Sequence, residues 1–272
     1  MTETAKIIEM GFPADRAQII HSFVGGSALH GVKLHGTDDT DIYGVFVQRP
    51  EFILGIDGFD HFVTSTSPQE QRNEAHDVDV TCLSLRKWAG LAAKGNSTVL
   101  HFLFTPAAAG ELAWSRILGN TNLFLAKSHY KQYAGYADAQ LKRMIGLRGQ
   151  GKHGQRPELE QQFGYDVKAA MHVLRILGEG IELMEKGFVT LPVASPWRET
   201  LLEVRSGEWS AERVISTAGR MFDQIHFAAE ASALPDSIDR ARISKLIAEV
   251  YAEIWQTSQQ EEPVKMPAEK EA

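Results

Sequence analysis

The sequence predicts an α+β fold: a small mixed β-sheet with flanking helices, followed by an all-α C-terminal region. Two observations carry this. Before about residue 105, short apolar runs of β-forming residues alternate with glycine-rich turns. After it, nearly every segment repeats its apolar residues at helical spacing. At 272 residues the chain is long enough for one large domain or two smaller ones, each with a real core. The expected division is a core over 1–108, a helical domain over 109–258 and a charged, proline-containing, disordered tail over 259–272.

Taken in order, Asp15–His21 ends a short helix or leads into a strand, and Ser22–Val24 is a short β-type run. Gly25-Gly26-Ser27 then turns the chain, and Ala28–Gly31 can open a helix. Asp41–Gln48 reads as a second strand and Val78–Leu83 as a third, introduced by Glu74, Asp77 and Asp79. Ser84 suits the N-cap of a helix over Leu85–Lys94, which Gly95 ends. Helical patterns follow over Glu111–Ala134 and Asp138–Leu147. Gly149–Pro157 is polar and glycine-rich and is expected to be a mobile loop. Glu158–Lys186 has long helical periodicity, which Val189–Ser195, with Pro192 and Pro196, breaks. Ser210–Ala231 and Ser237–Gln256 are the last two helices, and Ser210-Ala-Glu-Arg and Asp236-Ser-Ile-Asp suit their starts.

Composition narrows the function classes. The apolar fraction of 43% and charged fraction of 23% are those of an ordinary globular protein. A formal net charge of −7 argues against a surface that coats long nucleic acid, yet allows a local basic patch for a nucleotide or an RNA end. A single cysteine, Cys82, rules out an intramolecular disulfide and a cysteine zinc site, and its apolar run reads as a buried, inert thiol. The sequence shows neither a signal peptide nor the ~20-residue apolar stretch of a membrane span, so the expected location is the cytoplasm.

The most informative stretch pairs Gly25-Gly26-Ser27 with Asp38-Asp39-Thr40-Asp41 at the mouth of a strand. Alternate residues of a strand share a face, so Asp39 and Asp41 are expected side by side. Two adjacent carboxylates repel, and a hard divalent cation resolves the conflict. A third carboxylate from a neighbouring strand would complete a two-metal site: Asp79 is the candidate, with Asp77 its rival because the register is uncertain by a residue or two. Gly26 lets backbone N–H groups approach a phosphate, a following helix N-terminus would favour negative charge, and Ser27 adds a hydroxyl donor. Each piece alone reads as an ordinary turn or solvated loop; the combination, in this order, is far more specific.

The run Gly26-Ser27 … Asp39-Thr40-Asp41-Ile42-Tyr43-Gly44-Val45 resembles the G-S … D-x-D-x-x-G-V signature of polymerase-β-like nucleotidyltransferases. Asp77-Val-Asp79-Val-Thr-Cys-Leu-Ser-Leu-Arg86-Lys87-Trp88, with Lys94-Gly95-Asn96, resembles the branch that includes RNA-ligase-associated polymerase-β-like proteins, with Trp88 and Ser97 replacing that branch's Phe and Pro. Gly164-Tyr165-Asp166-Val-Lys168 … His172 … Arg175 is similar to its G-Y-D-x-K-x-x-x-H-x-x-R helix, and Arg205-Ser-Gly207-Glu208 and Leu234-Pro235 also match, so the likeness covers most of 20–245. The resemblance implies a nucleotidyltransferase core. It also implies Mg²⁺ (or Mn²⁺) on Asp39, Asp41 and Asp79, and an NTP bound by Gly26, Ser27, Lys168, His172 and Arg175. The NMP would pass to a hydroxyl acceptor: an RNA end, a protein or a small molecule.

Lys168, His172 and Arg175 share a helix face by spacing. By spacing alone they make either a phosphate grip or a solvated face around a salt-bridged histidine; the resemblance favours the grip. His30 and His35 either contact substrate or sit on a surface loop. The basic stretch Lys142–Arg156 is a lid, an acceptor site or an ordinary solvated face. Two further functions remain beside the transferase: a nucleotide-binding regulatory or toxin–antitoxin-like protein without turnover, and a metal-dependent phosphohydrolase.

Overall fold

The computed structural model describes residues 1–34, 39–67, 77–105, 112–147 and 157–261. A four-stranded mixed sheet is built from β1 (Ala17–Val24), β2 (Thr40–Gln48), β3 (His61–Ser65) and β4 (Val78–Ser84), in the order β1-β2-β4-β3. β1 is antiparallel to β2, β2 parallel to β4, and β4 antiparallel to β3. β2 is central, and its Val45, Phe46 and Val47 are all buried, as expected of a strand covered on both faces. The stretch Asp15–His21 thus joins a longer first strand and does not end a helix. β3 went unread because its side chains alternate between exposed and half-buried, leaving no apolar pattern at this sheet edge.

One face of the sheet packs on helix α1 (Glu3–Glu9) through Ile7, Phe12, Ile42, Phe46, Val80 and Cys82. Burial pushes the Cys82 thiol up to about 12, in line with an inert side chain. Two single turns, α2 (Gly26–Leu29) and α3 (Glu51–Leu54), follow β1 and β2. α4 (Leu85–Ala92) starts as expected: the Ser84 hydroxyl accepts the Lys87 N–H at 3.1 Å. α5 (Ser97–Leu100) leads into a 3₁₀ turn over 101–103.

The helical half contains α6 (Leu112–Leu118), α7 (Tyr130–Met144), α8 (Pro157–Phe163), α9 (Val167–Lys186), α10 (Trp197–Arg205), α11 (Ala211–Ala231) and α12 (Arg240–Glu261). The helix expected over Glu111–Ala134 is not continuous. The Asn120 amide and the Thr121 hydroxyl bond the Arg116 and Leu118 carbonyls, closing α6, and two 3₁₀ turns intervene before α7. α7 then runs unbroken past Asp138. The helical stretch over Glu158–Lys186 divides at Gly164, whose φ is +80°, and Asp166 caps α9 by accepting the Ala169 N–H at 2.9 Å. Asp239, not Asp236, caps α12 through the N–H groups of Ala241 and Arg242. α12 carries the chain to Glu261, into the expected tail. Residues 149–156 of the expected loop and 262–272 of that tail lie outside the described residues.

The larger core, on the other side from the α1 cluster, runs from Val45 and Trp88 through Leu174 of α9 to Val250 of α12. α9 is the central helix of the second half and packs against α7, α10 and α11. Gln48 at the end of β2 ties the halves together: the Tyr251 hydroxyl bonds its side chain and the Trp255 indole N–H donates to its carbonyl at 2.8 Å. No helix of the described residues is long and apolar enough to cross a membrane.

Candidate functional site

A cleft of about 300 Å³ opens where α2 and the start of β2 face α9. From the sheet side come Gly26, Ser27, Asp39, Asp41 and Tyr43; from the helical half come Tyr136, Lys168, His172, Arg175 and Arg205. The fold therefore brings to one cleft seven of the eight residues expected to hold metal or nucleotide, and His30 lines it with them. Asp79, the eighth, stands beside Asp41 but is not part of the cleft lining.

Asp41 is placed by the ladder. Its carbonyl accepts the Gly25 N–H at 2.8 Å, and it pairs in register with Asp79 on the parallel neighbour β4. Residues in register project from one face of strands about 4.8 Å apart, so the two carboxylates are neighbours. Tyr43 lies two residues further along the same face. Burial first, then the charges of Asp41, Tyr136 and Asp79, hold its phenol well above its ordinary range. Asp77 is differently engaged: its carboxylate accepts the Thr66 hydroxyl at 3.2 Å, toward the β3 edge. The geometry thus sets Asp79, not Asp77, beside Asp41.

Gly26 has a φ of +58°, and any Cβ there would overlap the Asp41 carboxylate. Its glycine is a requirement of packing against Asp41. The helix expected after it is only the four-residue turn α2, too short to supply a developed dipole. The loop beyond α2 is fixed by Arg205, whose Nη1 donates to the Val32 carbonyl at 2.6 Å.

On the opposite wall Lys168, His172 and Arg175 occupy one face of α9, at the spacing expected. Arg175 Nη1 lies 2.6 Å from Glu179 Oε1 and 3.0 Å from His30 Nε2, and Nη2 lies 3.4 Å from His172 Nδ1. The second oxygen of Glu179 lies 3.0 Å from His101 Nε2. Burial alone would raise the Glu179 carboxyl. Arg175 first, then the His101 and His30 rings and the His101 hydrogen bond, overcome it and hold the group well below the carboxylate range. His30 is pushed down to about 4, first by burial and then by Arg175, against the pull of Glu179. It is therefore neutral near pH 7.

His30, His101 and Glu179 bring ligating atoms within 4.8 Å of one another, a metal-type grouping among the described residues. A guanidinium at 2.6 Å on the same carboxylate repels a cation, so the grouping is an ion-paired network. The all-oxygen donors of Asp39, Asp41 and Asp79 suit a hard divalent ion better.

Sequence reasoning missed Glu179 and His101. Glu179 had a signal: it extends the Lys168–His172–Arg175 stripe by one helical turn. His101 had none, because only the fold carries it to the cleft floor. His35 and residues 148–156 of the basic stretch lie outside the described residues. Within that stretch Lys142 pairs with Asp138 at 2.7 Å and Arg143 with Asp166 at 3.6 Å, the arrangement of an ordinary structural face.

Residues 6–246 match the model of the family described as RlaP, RNA repair pathway DNA polymerase beta family. A solved structure of a nucleotidyltransferase-like protein from Exiguobacterium sibiricum 255-15 aligns at 11% identity over 96% of this chain and 80% of that one. The TM-score is 0.28. No curated protein matches the chain.

Proposed function

The chain belongs to the RNA repair pathway DNA polymerase beta family, and from that premise we propose that it transfers NMP from an NTP to a hydroxyl acceptor, with Mg²⁺ or Mn²⁺ as its ion. The observation that supports this is the single cleft in which Gly26, Ser27, Asp39 and Asp41 face Lys168, His172 and Arg175. Carboxylates stand on one wall and cationic or imidazole groups on the other, as a metal–triphosphate complex requires.

Asp39 and Asp41 would hold the ion, with Asp79 completing the set beside Asp41. When bound, the ion supplies Lewis-acid charge to the phosphates and lowers the pKa of the attacking hydroxyl. Arg175 and Lys168 take the triphosphate's negative charge, and the Gly26–Ser27 turn offers a backbone N–H and a hydroxyl. The acceptor oxygen forms a bond to the α-phosphorus, the α–β phosphoanhydride bond breaks, pyrophosphate leaves, and Asp79 takes the hydroxyl proton. Positioning and electrostatics carry most of the rate in this chemistry. The family's description favours an RNA end as acceptor.

The test is incubation of the protein with each α-labelled NTP, Mg²⁺ or Mn²⁺, and RNA or a cell extract. Label joined to RNA or to another macromolecule supports transfer. Label released only as NMP marks water as the acceptor and a phosphohydrolase instead. A second reading, nucleotide binding without turnover, draws on one observation: Asp79 is absent from the cleft lining. Metal-dependent NTP binding with no labelled product would select it.

A further inference from the structure

We infer that Glu179 is a positioning residue for the phosphate side of the cleft, holding Arg175 and His30 in the orientation from which they face a triphosphate. The inference rests on the reading of this cleft as an NTP site.

Glu179 follows Arg175 by one turn of α9, and its side chain is only 4% exposed. Both carboxylate oxygens are engaged. Oε1 meets Arg175 Nη1 at 2.6 Å and His30 Nδ1 at 3.1 Å, and Oε2 meets His101 Nε2 at 3.0 Å. One buried group thereby joins three segments that are far apart in sequence: the end of α2, the 3₁₀ turn after α5, and α9. The first and last of these form opposite walls of the cleft.

Arg175 depends on this contact more than a surface arginine would. Its side chain is 8% exposed, and its Nε has no hydrogen-bond partner among the described residues. The plane of the guanidinium is therefore set by Nη1 on Glu179 and His30, and by Nη2 at His172. Without the carboxylate, a buried cation would lose its counter-charge and its main orienting bond. His30 would lose the same anchor. Glu179 itself does not line the cleft, so its effect on a ligand passes through these two residues.

A positioning role predicts a loss confined to ligands that carry the outer phosphates. The experiment compares wild type, E179Q and E179D by calorimetric titration with the four NTPs and their matching NMPs, in Mg²⁺. E179Q is expected to weaken binding of the preferred NTP about tenfold, as loss of a charge-assisted bond implies, and to leave NMP binding within about twofold. E179D keeps the charge but withdraws it by one methylene, and should fall between. A purely structural role would weaken NTP and NMP together, and an unchanged NTP-to-NMP ratio in E179Q overturns the inference. Should E179Q not fold, E179D and H101L, which removes the partner of Oε2, are read on the same ratio. Wild type that binds no nucleotide overturns the NTP-site reading itself, and the inference with it. Wild-type binding with an unaltered ratio in the variants overturns the inference alone.

Discussion

The Asp41 carboxylate occupies the space where any other residue at position 26 would place its Cβ. Gly26 also holds a left-handed φ of +58°. Gly26→Ala therefore meets two penalties: backbone strain of about 1–2 kcal/mol and displacement of Asp41 from the cleft wall. The variant should melt several degrees lower and lose NMP transfer out of proportion to its fraction unfolded. Thermal melts paired with label-transfer assays check this, and a fully active, unshifted G26A would contradict the placement of Asp41.

Asp79 and Asp77 separate by their partners. Asp79 is in register with Asp41, whereas Asp77 accepts a hydrogen bond from Thr66. Asp79→Asn should lower the transfer rate by ~10²-fold or more, the scale of losing one preorganised electrostatic group, while Asp77→Asn should retain most of it. Single-turnover rates of the two variants decide the matter, and the reverse ranking would hand the third position to Asp77.

Stability should fall with acid in two overlapping steps. His30 has a folded pKa of about 4 against an ordinary 6.5, so the unfolded chain binds the proton first and stability drops as pH falls from 6.5 toward 4. That step is on the order of 3 kcal/mol. Glu179 is held well below the carboxylate range, so its contribution is present above the unfolded value near ~4.3 and is lost as pH falls below it. Urea melts between pH 7.5 and 4.5 should show the first step, and His30→Gln should flatten it. An equally steep profile in H30Q would assign the acid sensitivity elsewhere.

Cys82 is fully buried and its thiol is raised to about 12. In native protein it should react with an aromatic disulfide reagent only on the timescale of unfolding, and promptly in denaturant. Fast labelling of the native chain would show that the sheet face under α1 opens more readily than its packing implies.

The acidic half of the cleft was legible in the sequence because it is local: a Gly-Ser turn and a D-x-D pair lie within one strand–turn–strand unit. The Lys168–His172–Arg175 face was legible because helical periodicity alone fixes it. What joins the two was not. His101 reaches the cleft floor through a 3₁₀ turn, and no periodic pattern announces where such a turn points. The same limit explains the fold errors. β3 is an edge strand without an apolar face, and α6 ends where Asn120 and Thr121 bond its last carbonyls, a side-chain effect that apolar spacing does not register.

The most direct test removes the two cleft-lining aspartates together. Wild type and the D39A/D41A double variant, both shown folded by circular dichroism, are supplied with α-labelled NTP, Mg²⁺ and RNA. The account predicts Mg²⁺-dependent label on the RNA, with matching pyrophosphate, from wild type and none above background from the double variant. Undiminished labelling by D39A/D41A would contradict it.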